Sequence, residues 1–473
     1  MLRDTKSKGG FNMNRRQFIG TLAGTAAVTG LTLAGCNRQD IPRDSGASAK
    51  GEIPTDGMET RTSKQGDKVS LLGYGCMRWP SRRGRFQQNE NEIDQEQVNR
   101  LVDYALEHGV NFFDTSPVYC KGFSEEATGI ALSRHPRDSY FLSTKLSNFD
   151  SSLWSREKSI AMYHESFRRL QTDHIDYYLL HSIGGGKDAM DTFRKRYIDN
   201  GVLDFLLEER KAGRIRHLGF SYHGDVRIFD WCLEHHDEYQ WDMVLIQLSY
   251  VDWHYAKEMN PRNTNAEYLY GELAKRGIQA MVMEPLLGGQ LAKLPTHATR
   301  LLKEREPERS VASWAFRFAG TQPMVMTILS GMTYMEHLQD NLRTFHNFKP
   351  LNDEELAVLE RIAAEYANFK LVPCTACQYC MPCPYGIDIP GNFMHYNSCV
   401  NDGLVAPNEQ APDYRRLRHA YLRSLDQKLE RERQADHCID CGICLDRCPQ
   451  RIDIPKELRH IDLYVESLRE NLD

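Results

Sequence analysis

Val110-Asn111-Phe112-Phe113-Asp114-Thr115-Ser116-Pro117-Val118-Tyr119 is an apolar run of strand length that ends on a carboxylate, followed by a proline-bearing loop that delivers a tyrosine. Before it, residues 95–108 carry Val98, Leu101, Val102, Ala105 and Leu106 at helical spacing. A helix feeding a short buried strand is one unit of an alternation that recurs on both sides. Further candidate strands lie at 70–75, 140–145, 175–181, 215–220, 243–248, 278–284 and 326–329. Helical stretches at 160–170, Val202–Lys211 and 268–275 fall between them. Strands that are apolar on both faces and alternate with helices call for a parallel sheet with helices outside. Eight such units in roughly 300 residues predict an α/β fold, a closed (βα)8 TIM barrel, rather than an open doubly wound sheet. No Gly-x-Gly-x-x-Gly follows a strand and opens a helix, which disfavours a Rossmann domain.

Barrels of this kind carry their reactive groups at the carboxyl ends of the strands. Read in order, those ends offer Asp114, Lys145 and His181, with Tyr119 in the loop after Asp114. Taken alone, each has an ordinary structural reading: a helix cap, a solvated strand end, a hydrogen-bonded core histidine. Together at the reactive rim they suit carbonyl reduction. A hydride added to a carbonyl leaves an alkoxide that needs a proton, and a tyrosine with a pKa near about 10 supplies one poorly at neutral pH. An ammonium at Lys145 would lower the pKa of Tyr119, and a carboxylate at Asp114 would keep that lysine charged. A ring nitrogen of His181 would orient the substrate oxygen.

The segments 111–119, 141–145 (Phe-Leu-Ser-Thr-Lys) and 178–181 (Tyr-Leu-Leu-His) resemble the catalytic segments of the aldo-keto reductase family. The resemblance runs from about Arg61 to Phe345 and includes Gly122-Phe123-Ser124-Glu125. It implies a small-molecule carbonyl or alcohol substrate and a nicotinamide dinucleotide, NADP(H) or NAD(H), held without a Rossmann fold. Ser221 and Gln247 match the positions that hold the carboxamide. Residues 331–341 resemble the loop around the adenine half, with Asn341 matching an adenine contact. Two departures stand out. Met283 takes a place where many members put a tyrosine against the nicotinamide. Gly331 and His337 stand where NADPH-preferring members put a lysine or arginine for the 2′-phosphate. Potassium-channel β subunits keep the same four rim residues, so the tetrad implies binding and competence more strongly than turnover.

Nine of the 13 cysteines lie beyond residue 370. Eight form two runs, Cys374-x2-Cys377-x2-Cys380-x2-Cys383-Pro384 and Cys438-x2-Cys441-x2-Cys444-x3-Cys448-Pro449. The second has the spacing of bacterial ferredoxins, and the first is one residue short before its last cysteine. Eight thiolates satisfy two [4Fe–4S] clusters; a zinc site is the alternative for paired C-x2-C groups. In two-cluster ferredoxins the fourth cysteine of each run serves the other cluster. That rule groups Cys374, Cys377, Cys380 and Cys448 around one cluster, and Cys438, Cys441, Cys444 and Cys383 around the other. A helical stretch at 414–434 between the runs resembles a mainly α-helical ferredoxin-like domain.

The amino terminus has the form of an address. Asn14-Arg15-Arg16-Gln17-Phe18-Ile19 and the mild apolar run after it resemble a twin-arginine (Tat) signal, and Leu33-Ala34-Gly35-Cys36 resembles a lipobox. Clusters are assembled in the cytoplasm, so a protein carrying them must cross a membrane folded, as the Tat route permits. The resemblance implies a periplasmic lipoprotein anchored at Cys36. The expected organisation is a signal over 1–36, a polar linker over 37–62, a barrel over 63–368 and a ferredoxin-like domain over 369–473. With 59 Lys and Arg against 65 Asp and Glu and no basic tract, nucleic acid is not an expected partner. The combined expectation is an oxidoreductase that moves hydride between a dinucleotide and a carbonyl or alcohol, with clusters for electron transfer to a redox partner protein or a quinone. The alternative is an electron-transfer or sensor protein whose barrel binds a nucleotide with little turnover.

Overall fold

The computed structural model describes residues 52–82, 92–185, 188–260, 262–368, 371–406 and 408–470. The twin-arginine segment, Cys36 and most of the expected tether lie outside them.

Eight parallel strands close into a barrel. They are β3 (Leu72–Gly75), β4 (Phe112–Asp114), β5 (Phe141–Leu146), β6 (Ile175–Ile183), β7 (Ile215–Tyr222), β8 (Met243–Gln247), β9 (Gln279–Met283) and β10 (Val325–Ser330). All eight candidate segments form these strands. The helices alternate with them on the outside, and Arg156–Leu170 shows how one is delimited. Ser155 caps its first turn by accepting from Lys158 N, and Gln171 ends it in the left-handed conformation.

Before the barrel, β1 (Thr60–Thr62) and β2 (Lys68–Ser70) form an antiparallel hairpin. Residues 60–62, expected in the linker, are therefore a strand. The linker reading rested on their polarity, but these residues pair through backbone atoms, and polarity does not report that. The hairpin plugs the amino-terminal end of the barrel. Its Asp67 meets His217 Nε2 at 2.6 Å and Arg216 at 2.9 Å, both near the start of β7. Val69 joins Phe112, Tyr177, Leu179, Met243 and Met281 in a packed interior layer. The barrel is filled rather than hollow, and only the carboxyl end is left for chemistry.

Residues 371–470 contain helices and turns but no strand among the described residues. Helix Ile389–Asn401 starts where Asp388 Oδ1 accepts from Gly391 N at 3.0 Å and Pro390 occupies the first turn, a position that has no amide hydrogen bond to lose. Helix Tyr414–Lys428 is shorter than the expected 414–434, because Leu429 turns extended and a 3-10 turn, Arg431–Arg433, follows. These and helix Ile454–Glu470 pack Phe393, Tyr421, Leu425, Leu458 and Ile461 into a second core that also takes in Cys374 and Cys380. Among the described residues no helix is long and apolar enough to cross a membrane.

The helical domain sits across the carboxyl ends of the barrel strands. Gln290, buried in the loop after β9, donates to Cys374 O at 2.8 Å and accepts from Tyr366 and from Asn397 at 2.9 and 3.3 Å. Asn397 in turn holds both backbone groups of Val372. One buried amide thus links the barrel, its last helix and the first cysteine loop.

Candidate active site and cluster centres

Asp114 and Lys145 close adjacent strands β4 and β5. Lys145 Nζ lies 2.5 Å from Asp114 Oδ1 and 2.8 Å from Thr115 O, wholly buried. Ser143 donates to the other Asp114 oxygen at 2.8 Å. Burial pushes the Lys145 ammonium down, and Asp114 opposes that shift. Tyr119 comes from the loop after β4. In the turn that follows it, Cys120 and Lys121 both have positive φ, 49° and 55°. Non-glycine residues in that region cost of order 1–3 kcal/mol each, strain typical of sites where geometry is held for function.

Lys145 Nζ stands 4.8 Å from the Tyr119 ring centre, over its face. The expected lowering of the Tyr119 pKa does not emerge. Burial raises the phenol well above its usual range, and Tyr379, Asp114 and Glu284 add to the rise. The Asp114 carboxylate paired with Lys145 offsets part of the ammonium's pull on the phenol. Tyr119 is a phenol held in its protonated form.

His181, near the end of β6, packs edge-on against Tyr119 with centroids 5.9 Å apart. Its Nδ1 meets Ser147 Oγ at 2.5 Å and Ser116 Oγ at 3.3 Å, leaving Nε2 as the nitrogen not engaged by these serines. Burial, with the charge of Lys145 adding, holds its pKa well below normal, so the ring is neutral. The four rim residues therefore converge as the sequence implied. Ser116 and Ser147 were missed, although Ser147 lies two residues beyond Lys145 at the same strand end.

A more consequential omission is Tyr379, from between Cys377 and Cys380. Its ring lies 6.1 Å from that of Phe149 at the barrel rim, and its hydroxyl is close enough to Tyr119 to perturb that titration. No periodic pattern marks such a residue; only its place in a cysteine loop did.

The thiols influence one another largely within the two expected groups, with Cys380 standing against both. Burial pushes Cys374 up, and Cys377 and Cys448 add to it. Cys380 responds to Cys377, Cys374 and Cys448, with a smaller effect from Cys444. Cys438 responds to Cys383 and Cys441; Cys444, pushed up to about 11, responds to Cys438, Cys441 and Cys383. These last four thiols, with Cys380, line one cavity walled by Ile387, Ile389, Pro455 and Leu458. Mutually repelling thiolates in apolar walls fit a cationic iron–sulfur core. Of the spare cysteines, Cys120 points at Met77 O, and burial pushes it up to about 12, so it is no ready nucleophile.

A closed parallel barrel with this rim, joined to a two-cluster helical domain, defines an aldo-keto reductase-type oxidoreductase. The profile of the Aldo/keto reductase family matches residues 71–364, and that of a 4Fe-4S dicluster domain matches 373–452. The chain belongs to the aldo/keto reductase family. It is similar to the uncharacterized oxidoreductase YqkF of Bacillus subtilis, 25% identical over 313 residues, covering 62% of this chain and 92% of that one. Protein tas of Escherichia coli is 24% identical over 353 residues, covering 63% and 95%. Aldo-keto reductase AKR11C1 from Bacillus halodurans, holo form, shares the fold with a TM-score of 0.50 at 24% identity, covering 64% of this chain and 96% of that one.

The family fold supports a nicotinamide cofactor, but the residues expected to hold it are engaged here. Ser221 Oγ accepts from Ser182 N at 2.7 Å. Gln247 Nε2 donates to Gln450 Oε1, in the helical domain, at 3.1 Å. Asn341 donates to Ser330 Oγ at 2.9 Å, and His337 packs against Tyr334. Gly331 lies against Arg78, which reaches on to Thr375 O at 2.7 Å. The helical domain takes up Gln247 and the Arg78 side chain beside Gly331, whereas Ser221, Asn341 and His337 are engaged within the barrel.

Proposed function

We propose that this protein interconverts a small-molecule carbonyl and its alcohol at Tyr119, with single electrons exchanged through the helical domain. The observation that carries the reading is the convergence of Asp114, Lys145, Tyr119 and His181 directly beneath the 374–380 loop. Reduction turns the carbonyl C=O into an alcohol CH–OH when carbon gains a hydride, the chemistry that NAD(H) or NADP(H) would supply, and oxygen gains a proton. Tyr119 gives its phenolic proton to the substrate oxygen. Neutral His181 donates from Nε2 to the same oxygen, so negative charge developing there meets two fixed donors. Lys145, held by Asp114, stabilises the tyrosinate left behind. When bound by the two cysteine sets, two [4Fe–4S] clusters supply one-electron transfer to or from a redox partner protein or quinone. Such a partner would approach at Cys441, the exposed ligand, where Ile439 and Ile443 are 60% and 48% exposed. Hydride exchange with NAD(H) or NADP(H) belongs to a form in which the helical domain has left the cleft.

The leader resemblance supports export by the Tat route and tethering at Cys36 in the periplasm, within the same proposal. A second reading, electron transfer or sensing with little turnover, is favoured by the Tyr379 hydroxyl reaching Tyr119. Steady-state assays separate the two. Carbonyl reduction that falls by roughly 10²-fold or more in Tyr119→Phe, with clusters retained, supports catalysis, and full activity in that variant contradicts it.

A further inference from the structure

We infer that the helical domain and a nicotinamide dinucleotide exclude one another from the barrel mouth. The inference rests on the family reading of Ser221, Gln247 and Asn341. β8, β9 and β10 are neighbours in the barrel. A dinucleotide with its carboxamide at Ser221 and Gln247 and its adenine at Asn341 must therefore cross the end of β9.

That crossing is filled by backbone. Gly288, at φ +69°, lies so close beneath the cysteine loop that an added Cβ would stand 2.5 Å from Thr375 Cα. No phosphate passes where a methyl group does not fit. Thr375 is buried and is held from both sides, by Arg78 through its carbonyl and by Gln290 through the carbonyl of Cys374. The nicotinamide end is closed separately by Gln450 on Gln247. Beside the crossing, Glu284 sets a partly buried carboxyl on a left-handed residue, φ 55°, a poor neighbour for a diphosphate.

A dinucleotide entering this cleft breaks the Gln247–Gln450, Arg78–Thr375 and Gln290–Cys374 hydrogen bonds together. Each ligand of the barrel mouth thus lowers the affinity of the other by the same factor. One mouth then serves two chemistries in turn: single electrons with the domain seated, hydride with it displaced.

The test is binding, not turnover. NADPH and NADH are titrated anaerobically into the cluster-replete full chain, followed by nicotinamide fluorescence. The comparison is the Tyr379→Ala/Gln450→Ala variant, which removes contacts on the domain side and leaves Ser221, Gln247, Asn341 and every cysteine in place. Iron content confirms that clusters are retained. The variant is expected to bind at least about tenfold more tightly than wild type. Asp402→Lys, which sets a like charge against Lys293 outside the cleft, shifts affinity the same way by less. Equal affinities in all three proteins overturn the inference, whether all bind tightly or none binds. Loss of carbonyl reduction in any variant leaves this readout unchanged, so failure of the catalytic proposal is separately visible.

Discussion

Gln247, at the end of β8, and Gln450, two residues past the last cluster cysteine, meet side chain to side chain, Nε2 to Oε1 at 3.1 Å. The first is a residue that the family pattern assigns to a dinucleotide; the second belongs to the 4Fe-4S dicluster domain. The two parts of the chain are thereby joined at the chemically active end of the barrel rather than strung side by side.

Lys145→Met leaves the Asp114 carboxylate buried and unpaired, and is expected to destabilise the protein by roughly 3–5 kcal/mol. Restoring neutrality with Asp114→Asn in the same chain recovers part of the loss. Guanidinium unfolding of the cluster-replete proteins measures both. A single variant within about 1 kcal/mol of wild type would show that the pair is not buried as described.

Stability should fall across neutral pH because of Asp252. This carboxyl is buried in the first turn after Ser249, and burial pushes it up to about 7 despite a 2.8 Å hydrogen bond from Ser249 Oγ. Its unfolded value is about 3.9, so the folded state holds the extra proton between the two. The contribution is full below about pH 4 and is lost as pH rises through 7. Wild type should lose roughly 1–3 kcal/mol relative to Asp252→Asn between pH 5 and 8.5. Parallel melting curves for the two proteins over that range would refute it.

His181 should not titrate near neutrality. With its pKa held well below normal by burial and by Lys145, kcat/KM should show no inflection from this ring between pH 5 and 8. Nitrogen NMR of the ring checks the same point, and a titration near 6.5 would contradict the described burial.

Cysteine partition is readable by paramagnetic resonance. Cys448→Ser and Cys377→Ser should each lower iron from about eight to about four per chain and leave the same residual spectrum, while Cys441→Ser leaves the other. A Cys448→Ser spectrum matching Cys441→Ser would overturn the grouping.

The barrel was legible because its signal is local. Continuous apolar runs such as 175–181 and helical spacing such as Val98, Leu101, Val102 and Ala105 repeat with every unit. The rim tetrad was legible because strand ends are fixed by those same runs. The hairpin was missed because Thr60–Thr62 carries no apolar period and pairs through backbone alone. Tyr379, Gln450 and Thr375 were missed for a different reason. Their roles come from how one domain docks on another, and contacts between residues 203 to 297 positions apart leave no pattern in either segment. The same docking explains why Gln247, named from the family pattern, is found occupied by Gln450.

One stopped-flow experiment bears on Tyr119 above all others. Protein whose clusters have been reduced by stoichiometric dithionite is mixed anaerobically with 9,10-phenanthrenequinone, a dicarbonyl whose one-electron stage is stabilised by conjugation. Cluster absorbance and hydroquinone are followed together. The expected result is one hydroquinone for two cluster electrons, at a rate that falls by roughly 10²-fold or more in Tyr119→Phe while its clusters reduce normally. The same rate in Tyr119→Phe as in wild type would contradict the role assigned to Tyr119.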